Sequence, residues 1–167
     1  TLFRSNAINK GLAYSSGDFY LFLGSDDLLL PNALEILYRA LGNKLVVQGL
    51  SYKLVAGNVS LVRAHSSSTL ISMAAHKKFG LYDESFRIAA DSKFLAILNN
   101  EALVLQLDEV VGVFAHGGAS SNYMATVVEH ARAMRESGVW GGLYSFFWIK
   151  SRSIFYCIKR IFRAYFL

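Results

Sequence analysis

Three carboxylates in this chain stand where carboxylates do chemistry. Asp26 and Asp27 are adjacent and interrupt the apolar stretch "DFYLFLGSDDLLLP" (Asp18 to Pro31). Like charges side by side repel, so neither is there for stability alone. A divalent cation would neutralise the pair, and hard oxygen ligands suit Mg²⁺ or Mn²⁺. Such a cation can also bridge two phosphates and stabilise a diphosphate leaving group. The competing reading is that one aspartate caps the next helix and the other is solvated. Asp91 follows "RIAA" and opens a helix. The helix dipole alone favours a carboxylate there, so a cap is its first reading. A general base that takes a proton from an attacking hydroxyl is the alternative.

The other polar candidates are weaker. His65 precedes "SSST" and could face a ligand. His76, beside Lys77 and Lys78, and His130, on a polar helix face, read as solvated. His116 precedes Gly117 and Gly118, whose mobility suits a closing loop. A plain loop histidine is the simpler reading there, against a metal or phosphate contact. "NKG" (Asn9 to Gly11) could lie near phosphates, but it has neither the Walker nor the dinucleotide-binding spacing.

The elements that position these residues read as α/β. Residues 6–16 form a helix. Residues 18–24 are the apolar run of a strand buried on both faces. Pro31 suits the first position of a helix, and Leu34, Leu37, Tyr38 and Leu41 follow as one apolar face. The two aspartates are therefore expected in a strand-to-helix loop, at the strand end where open α/β sheets bind ligands. Strands are expected over 45–63, with a hairpin turn at 56–59, and over 69–72, 102–106 and 110–115. Helices are expected over 74–79, stopped by Gly80, over 91–99, and over 123–136 with Tyr123, Val127, Ala131 and Met134 inward.

Composition narrows the class. With 53% hydrophobic and 17% charged residues the chain is no disordered segment. Its single cysteine, Cys157, excludes an internal disulfide framework. Residues 1–138 hold as many acids as bases, and all of the +5 net charge lies in residues 139–167. That argues against a general nucleic-acid surface and for one local basic patch. The tail, 141–167, reads as a helix. Arg152, Lys159, Arg160 and Arg163 fall on one side, and Ile154, Phe155, Ile158, Ile161, Phe162 and Tyr165 on the other. That is the pattern of a helix lying in a membrane interface rather than crossing the bilayer.

Taken in order, "NAINKGLAYSSGDFYLFLGSDDLLLPNALE", "HSSSTLISMAAHKKFGLYDESFRIAADSKF" and "VVGVFAHGGASSN" resemble a family 2 glycosyltransferase of the GT-A fold. The resemblance covers most of residues 5–122. "SDD" matches that family's metal-binding DxD-type motif, and "GLYDESFRIAAD" the segment leading to its catalytic aspartate. It implies a mixed, mostly parallel sheet with flanking helices over 1–122, followed by a helical C-terminal extension over 123–167. It implies Asp27 as the main metal ligand, with Asp26 beside it, and Mg²⁺ or Mn²⁺ as cofactor. Asn9, Lys10, Ser25 and Asp26 would lie at the donor. Asp91 would be the base, in a direct attack that inverts the anomeric carbon. His65 and Ser66 would lie near the acceptor, and His116, Gly117 and Gly118 in the flexible loop. Ser92 and Lys93 depart from the bulkier or acidic residues usual after this aspartate.

The family's nucleobase-holding acidic groups lie in strands that would precede Thr1. The chain therefore reads as an N-terminally truncated domain, expected to expose a parallel sheet edge and to be inactive or poorly folded alone. The expected function is transfer of a sugar from a nucleotide-diphosphate donor to a glycan or lipid-linked acceptor, in cell-envelope polysaccharide synthesis. The expected location is cytoplasmic, peripheral at the inner face of the plasma membrane through the tail, with no nucleic-acid partner. The alternative is a non-catalytic carbohydrate-binding or membrane-tethered remnant of such a domain.

Overall fold

A computed structural model describes residues 4–55, 57–63, 65–115 and 122–166, with side chains as far as Lys159. In chain order these residues form α1 (Arg4–Tyr14), β1 (Phe19–Tyr20), β2 (Leu28–Leu29), α2 (Ala33–Ala40), β3 (Val46–Val55) and β4 (Asn58–Arg63). A single 3-10 turn (Ser66–Ser68) leads to β5 (Thr69–Ser72). There follow α3 (Met73–Phe79), α4 (Ala90–Asn100), β6 (Val104–Ala115), α5 (Tyr123–Glu136) and α6 (Gly142–Phe166). The chain divides into two compact units. The sheet unit comprises Lys10–Leu81 and Leu98–Gly118, and the helical unit comprises Thr1–Asn9, Tyr82–Ile97 and Ala119–Leu167. Residues 82–97 thus fall in one unit with the segment that holds α5 and α6.

In the sheet unit the strand order is β1-β5-β3-β6-β2, with β4 on β3. The sheet is mixed and flanked by helices, but it is not mostly parallel. Only β3 and β6 run parallel among the described strands, and the other pairs are antiparallel. The connections explain this. A parallel pair needs a long crossover, and residues 56–103, which hold two helices, supply one. β3 and β4 are joined instead by a hairpin in which Val55 pairs with Asn58. The expected strand over 18–24 shortens to Phe19–Tyr20, which is half-buried rather than buried on both faces. Among the described strands β5 is its one partner, and the pairing ends at Tyr20 opposite Ile71. β2, unforeseen, pairs with β6 and splits the loop between β1 and α2.

Ala33, Leu37 and Leu41 pack with Val47, Leu70 and Val111 to form the core of this unit. These helix residues recur every four positions, so they make one stripe. Leu34 and Tyr38 lie one residue further on, about 100° around, and are exposed, contrary to the expected face. β3 and β6 approach so closely at Gly49 that a Cβ there would lie 2.6 Å from Val111 Cγ2. Their register shifts at the same point, between Gln48 and Leu50.

In the helical unit α5 buries Val127, Ala131 and Met134 as expected, with Tyr123 half-buried. Asn122 caps it, its side-chain oxygen accepting from the Ala125 N–H at 3.2 Å. α6 packs on α5 through a stacked Tyr123–Tyr156 pair and through His130, which lies against Trp140 and Trp148. The side chains Leu143, Phe147, Ile154 and Ile158 remain exposed along α6.

Two histidines read as solvated are buried or half-buried. His76 Nδ1 donates to the Gly80 carbonyl at 2.8 Å, so the neutral ring's Nε2 accepts from the Tyr20 hydroxyl. Burial lowers the pKa of His76, against the Gly80 hydrogen bond, and burial likewise lowers that of His130, against the charge of Asp91. The unfolded chain therefore binds more protons than the fold once the pH drops below the ordinary histidine value of 6.5. Stability should fall as pH is lowered from 7 to 5. Urea unfolding followed by circular dichroism should show this, with a shallower dependence in His76→Gln. An unchanged dependence would mean that His76 is not held neutral.

Candidate active site

Asp26 and Asp27 sit in a β-turn between β1 and β2, not in a single strand-to-helix loop. The Asp27 N–H donates to the Gly24 carbonyl at 3.1 Å, and the Gly24 N–H donates back to Asp27 Oδ2 at 3.1 Å. The turn therefore folds the Asp27 carboxylate over Gly24. A Cβ on Gly24 would lie 2.9 Å from Asp27 Oδ2, so a side chain there would have to displace that carboxylate. The two aspartates differ sharply. The Asp27 carboxylate is only 10% exposed. Asp26 is exposed and accepts from the Ser25 hydroxyl at 3.0 Å.

His65 stands beside Asp27, with Nδ1 4.0 Å from Oδ2. Its ring stacks on Phe114 with centroids 3.6 Å apart. Nδ1 also accepts from the Ser67 N–H at 3.3 Å and lies 2.8 Å from the Ser67 hydroxyl. These bonds fix the ring at the start of the 3-10 turn, and Ser66 is the turn's first residue. So His65 and Asp27, 38 positions apart in sequence, meet because β6 carries Phe114 beneath the imidazole. His116, Gly117 and Gly118 lie outside the described residues.

Among the described residues no three His, Cys, Asp or Glu side chains come together as a metal cluster. Asp27 and Asp26 supply hard oxygen donors on one short turn. That fits a hard cation which completes its shell with water and substrate oxygens, as Mg²⁺ commonly does.

In the helical unit Asp91 is the second residue of α4. Its Oδ1 accepts from the Ser92 N–H at 2.7 Å, and its Oδ2 lies 3.8 Å from Arg4 Nη1. The segment before α4 is fastened from several sides. Asn9 donates to the Tyr82 carbonyl at 2.9 Å and accepts from the Tyr82 N–H at 3.1 Å. Ser5 donates to the Phe86 carbonyl at 3.0 Å. Glu129 Oε2 accepts from the N–H groups of Ile88 and Ala89 at 2.7 and 3.1 Å. Phe86, fully buried, lies beneath the Arg132 guanidinium at 3.8 Å and the Lys93 ammonium at 4.9 Å.

Lys93 is itself the hub of an ion triad, 2.7 Å from Asp83 Oδ2 and 2.8 Å from Glu136 Oε2. Burial works against its charge, but these two bonds outweigh it and raise its pKa. The Lys93 hydrogen bond in turn holds Asp83 down to about 2. Lysine after Asp91 therefore has a structural task. So does Asn9, whose amide brackets Tyr82 and Glu84, while Lys10 beside it is exposed. Glu129 and Arg4 were not singled out from sequence. Neither carries a local signal, because Glu129 acts on backbone 40 and 41 positions away and Arg4 lies beside a carboxylate more than 80 positions away.

The family model for glycosyl transferase family 2 matches residues 3–102, more than half of the chain. The comparison with curated proteins gives no match.

Glu129→Ala would leave two N–H groups at the head of α4 without their acceptor. The expected loss is about 1–3 kcal/mol, read as a lower urea midpoint, with Glu129→Gln recovering part of it. An unchanged midpoint would show that water replaces the carboxylate without loss.

Proposed function

The chain belongs to glycosyl transferase family 2, and from that premise we propose that it transfers a sugar from a nucleoside diphosphate donor to an acceptor hydroxyl with inversion. The observation that carries this reading is the carboxylate pair on the Gly24–Asp27 turn, one oxygen of which is drawn inward and fixed by the Gly24 N–H. Asp27 is the donor-side ligand and Asp26 its exposed companion, with Ser25 on the same turn and Lys10 a candidate phosphate contact. Asp27 and Asp26 would hold a Mg²⁺ or Mn²⁺ ion there, which would supply positive charge for a departing diphosphate. His65, fixed on Phe114 and close to Asp27, lines the same turn.

Asp91 accepts the proton of the attacking acceptor hydroxyl. Its fastened approach segment supports this role, because a base must be held in one orientation to be effective. The acceptor is a glycan or a lipid-linked sugar of cell-envelope polysaccharide synthesis. α6 supports the lipid-linked choice. Leu143, Phe147, Ile154 and Ile158 are exposed along it, and Lys150, Arg152 and Lys159 are exposed beside them. Such a helix suits the surface of an anionic membrane, which supports a location at the cytoplasmic face of one. Among the described residues no helix is long and apolar enough to cross a membrane.

Incubation with UDP-, GDP- and dTDP-sugars, Mn²⁺ and candidate acceptors tests the reading. Asp91→Asn should lower kcat by about 10²–10⁴-fold, the usual range for losing a general base. Full activity in that variant would overturn the assignment. Flotation with vesicles containing anionic phospholipid should recover the protein at low salt and lose it at high salt. Binding that ignores both salt and the charge reversal Lys150→Glu with Arg152→Glu would contradict the surface role of α6.

A further inference from the structure

The reading above leaves open what kind of acceptor Asp91 serves. His130 on α5 lies within reach of the Asp91 charge, which favours its protonated form against burial. The same imidazole touches two tryptophans, with centroids 5.6 Å from Trp140 and 5.7 Å from Trp148. The two indoles lie 5.0 Å apart, and Tyr144 joins them 5.1 Å from Trp140. These rings run from the neighbourhood of Asp91 onto α6, all within the helical unit.

Backbone bonds hold the group in place. At the end of α5 the N–H groups of Val139 and Trp140 both donate to the Met134 carbonyl, at 3.0 and 3.1 Å, so the chain turns back before α6 begins. Tyr144, Trp148 and Phe155 then recur along α6 and, with Ser151 and Arg152, line an open cavity of about 470 Å³. That lies within the range of small-molecule sites, roughly 300–1,000 Å³. The stripe is about a quarter turn around the helix from Leu143, Phe147, Ile154 and Ile158. It therefore does not coincide with the face offered to a membrane.

A packed core would seal such rings. Here Tyr144 and Phe155 are 57% and 59% exposed, and Trp140 and Trp148 are half-buried. Among the described residues the ring nitrogens of His130, Trp140 and Trp148 neither take part in a hydrogen bond nor are sealed from water. A pyranose has the matching chemistry. Its C–H face packs on an aromatic face, whose π cloud is negative, and its hydroxyl rim accepts from ring N–H groups.

We infer that Trp148, with Tyr144 and Trp140, forms a second sugar subsite for the acceptor. Asp91 does not line the cavity, so the sugar seated there is not the one that attacks but its neighbour in the chain. The acceptor is therefore a glycan of at least two sugars rather than a monosaccharide. His130, which adjoins the indoles and senses Asp91, joins this subsite to the base. The inference rests on Asp91 acting as the base, but its first test does not require turnover.

Trp140 and Trp148 are the chain's two tryptophans, so indole emission reports on this subsite alone. An array of mono-, di- and trisaccharides should retain the protein on at least one oligosaccharide and on no monosaccharide. Titration with that oligosaccharide should change the emission saturably. Trp148→Ala should weaken binding by about tenfold or more, as truncating a buried aromatic anchor does. Trp148→Phe, which keeps a flat ring, should restore part of the affinity and controls for folding. No oligosaccharide bound by wild type, or equal affinity in Trp148→Ala, overturns the inference. So does a Trp148→Ala variant that loses vesicle flotation while its glycan binding is unchanged, since the stripe would then be a membrane contact. If an oligosaccharide binds but no donor is turned over on it, the transfer reading fails and the subsite stands. In a transferring protein, Trp148→Ala should raise the KM for a disaccharide acceptor by about tenfold and leave that for the donor unchanged. An unchanged acceptor KM would overturn it. A lipid-linked disaccharide, run beside the free one, tells which source is preferred.

Discussion

The carboxylate of Glu129 does what the local sequence before α4 cannot. A helix start leaves backbone N–H groups without partners, and the residues preceding Asp91, Ile88 to Ala90, offer no side-chain cap. Glu129 reaches across from α5 and accepts from Ile88 and Ala89 together. Other contacts fasten the same segment. Phe86 is buried beneath Arg132 and Lys93, Lys93 is neutralised by Asp83 and Glu136, and Asn9 and Ser5 tie α1 to the same segment. The result is a carboxylate, Asp91, whose backbone has little freedom to move.

The sheet unit reaches the same end by a different route. There the turn from Gly24 to Asp27 closes on itself, backbone to backbone and backbone to carboxylate. β1 and β2, each only two residues long, anchor the turn at its two ends, through β5 and β6. Short strands suffice because α2 and the central β3 supply the core beneath them. His65 stands beside Asp27 for a related reason, since Phe114 on β6 gives the imidazole a flat surface to rest on.

Much of this was legible in the sequence where local rules dominate. The α5 stripe of Val127, Ala131 and Met134, the hairpin after Val55, and the α3 stop at Gly80 follow from periodicity and turn chemistry. The "SDD" and "AAD" stretches both lie within residues 3–102, which the family model matches. What failed was set by long-range partners. A continuous apolar run from Phe19 to Leu23 read as a buried strand, yet pairing stops at Tyr20. Leu34 and Tyr38 looked inward by spacing, but the sheet meets the stripe one residue earlier. His76 looked solvated beside two lysines, although Tyr20 and the Gly80 carbonyl claim both its nitrogens. The parallel bias expected of the sheet was overruled by the connections, which allow one crossover among the described strands.

The account divides labour between two carboxylates, Asp27 for the donor diphosphate and Asp91 for the acceptor proton. Calorimetric binding of UDP and GDP with Mn²⁺, compared across wild type, Asp27→Asn and Asp91→Asn, separates them most directly. The account predicts that Asp91→Asn binds the nucleotide as wild type does, while Asp27→Asn loses the Mn²⁺-dependent part. Equal loss in both variants, or full Mn²⁺-dependent binding in Asp27→Asn, would contradict it.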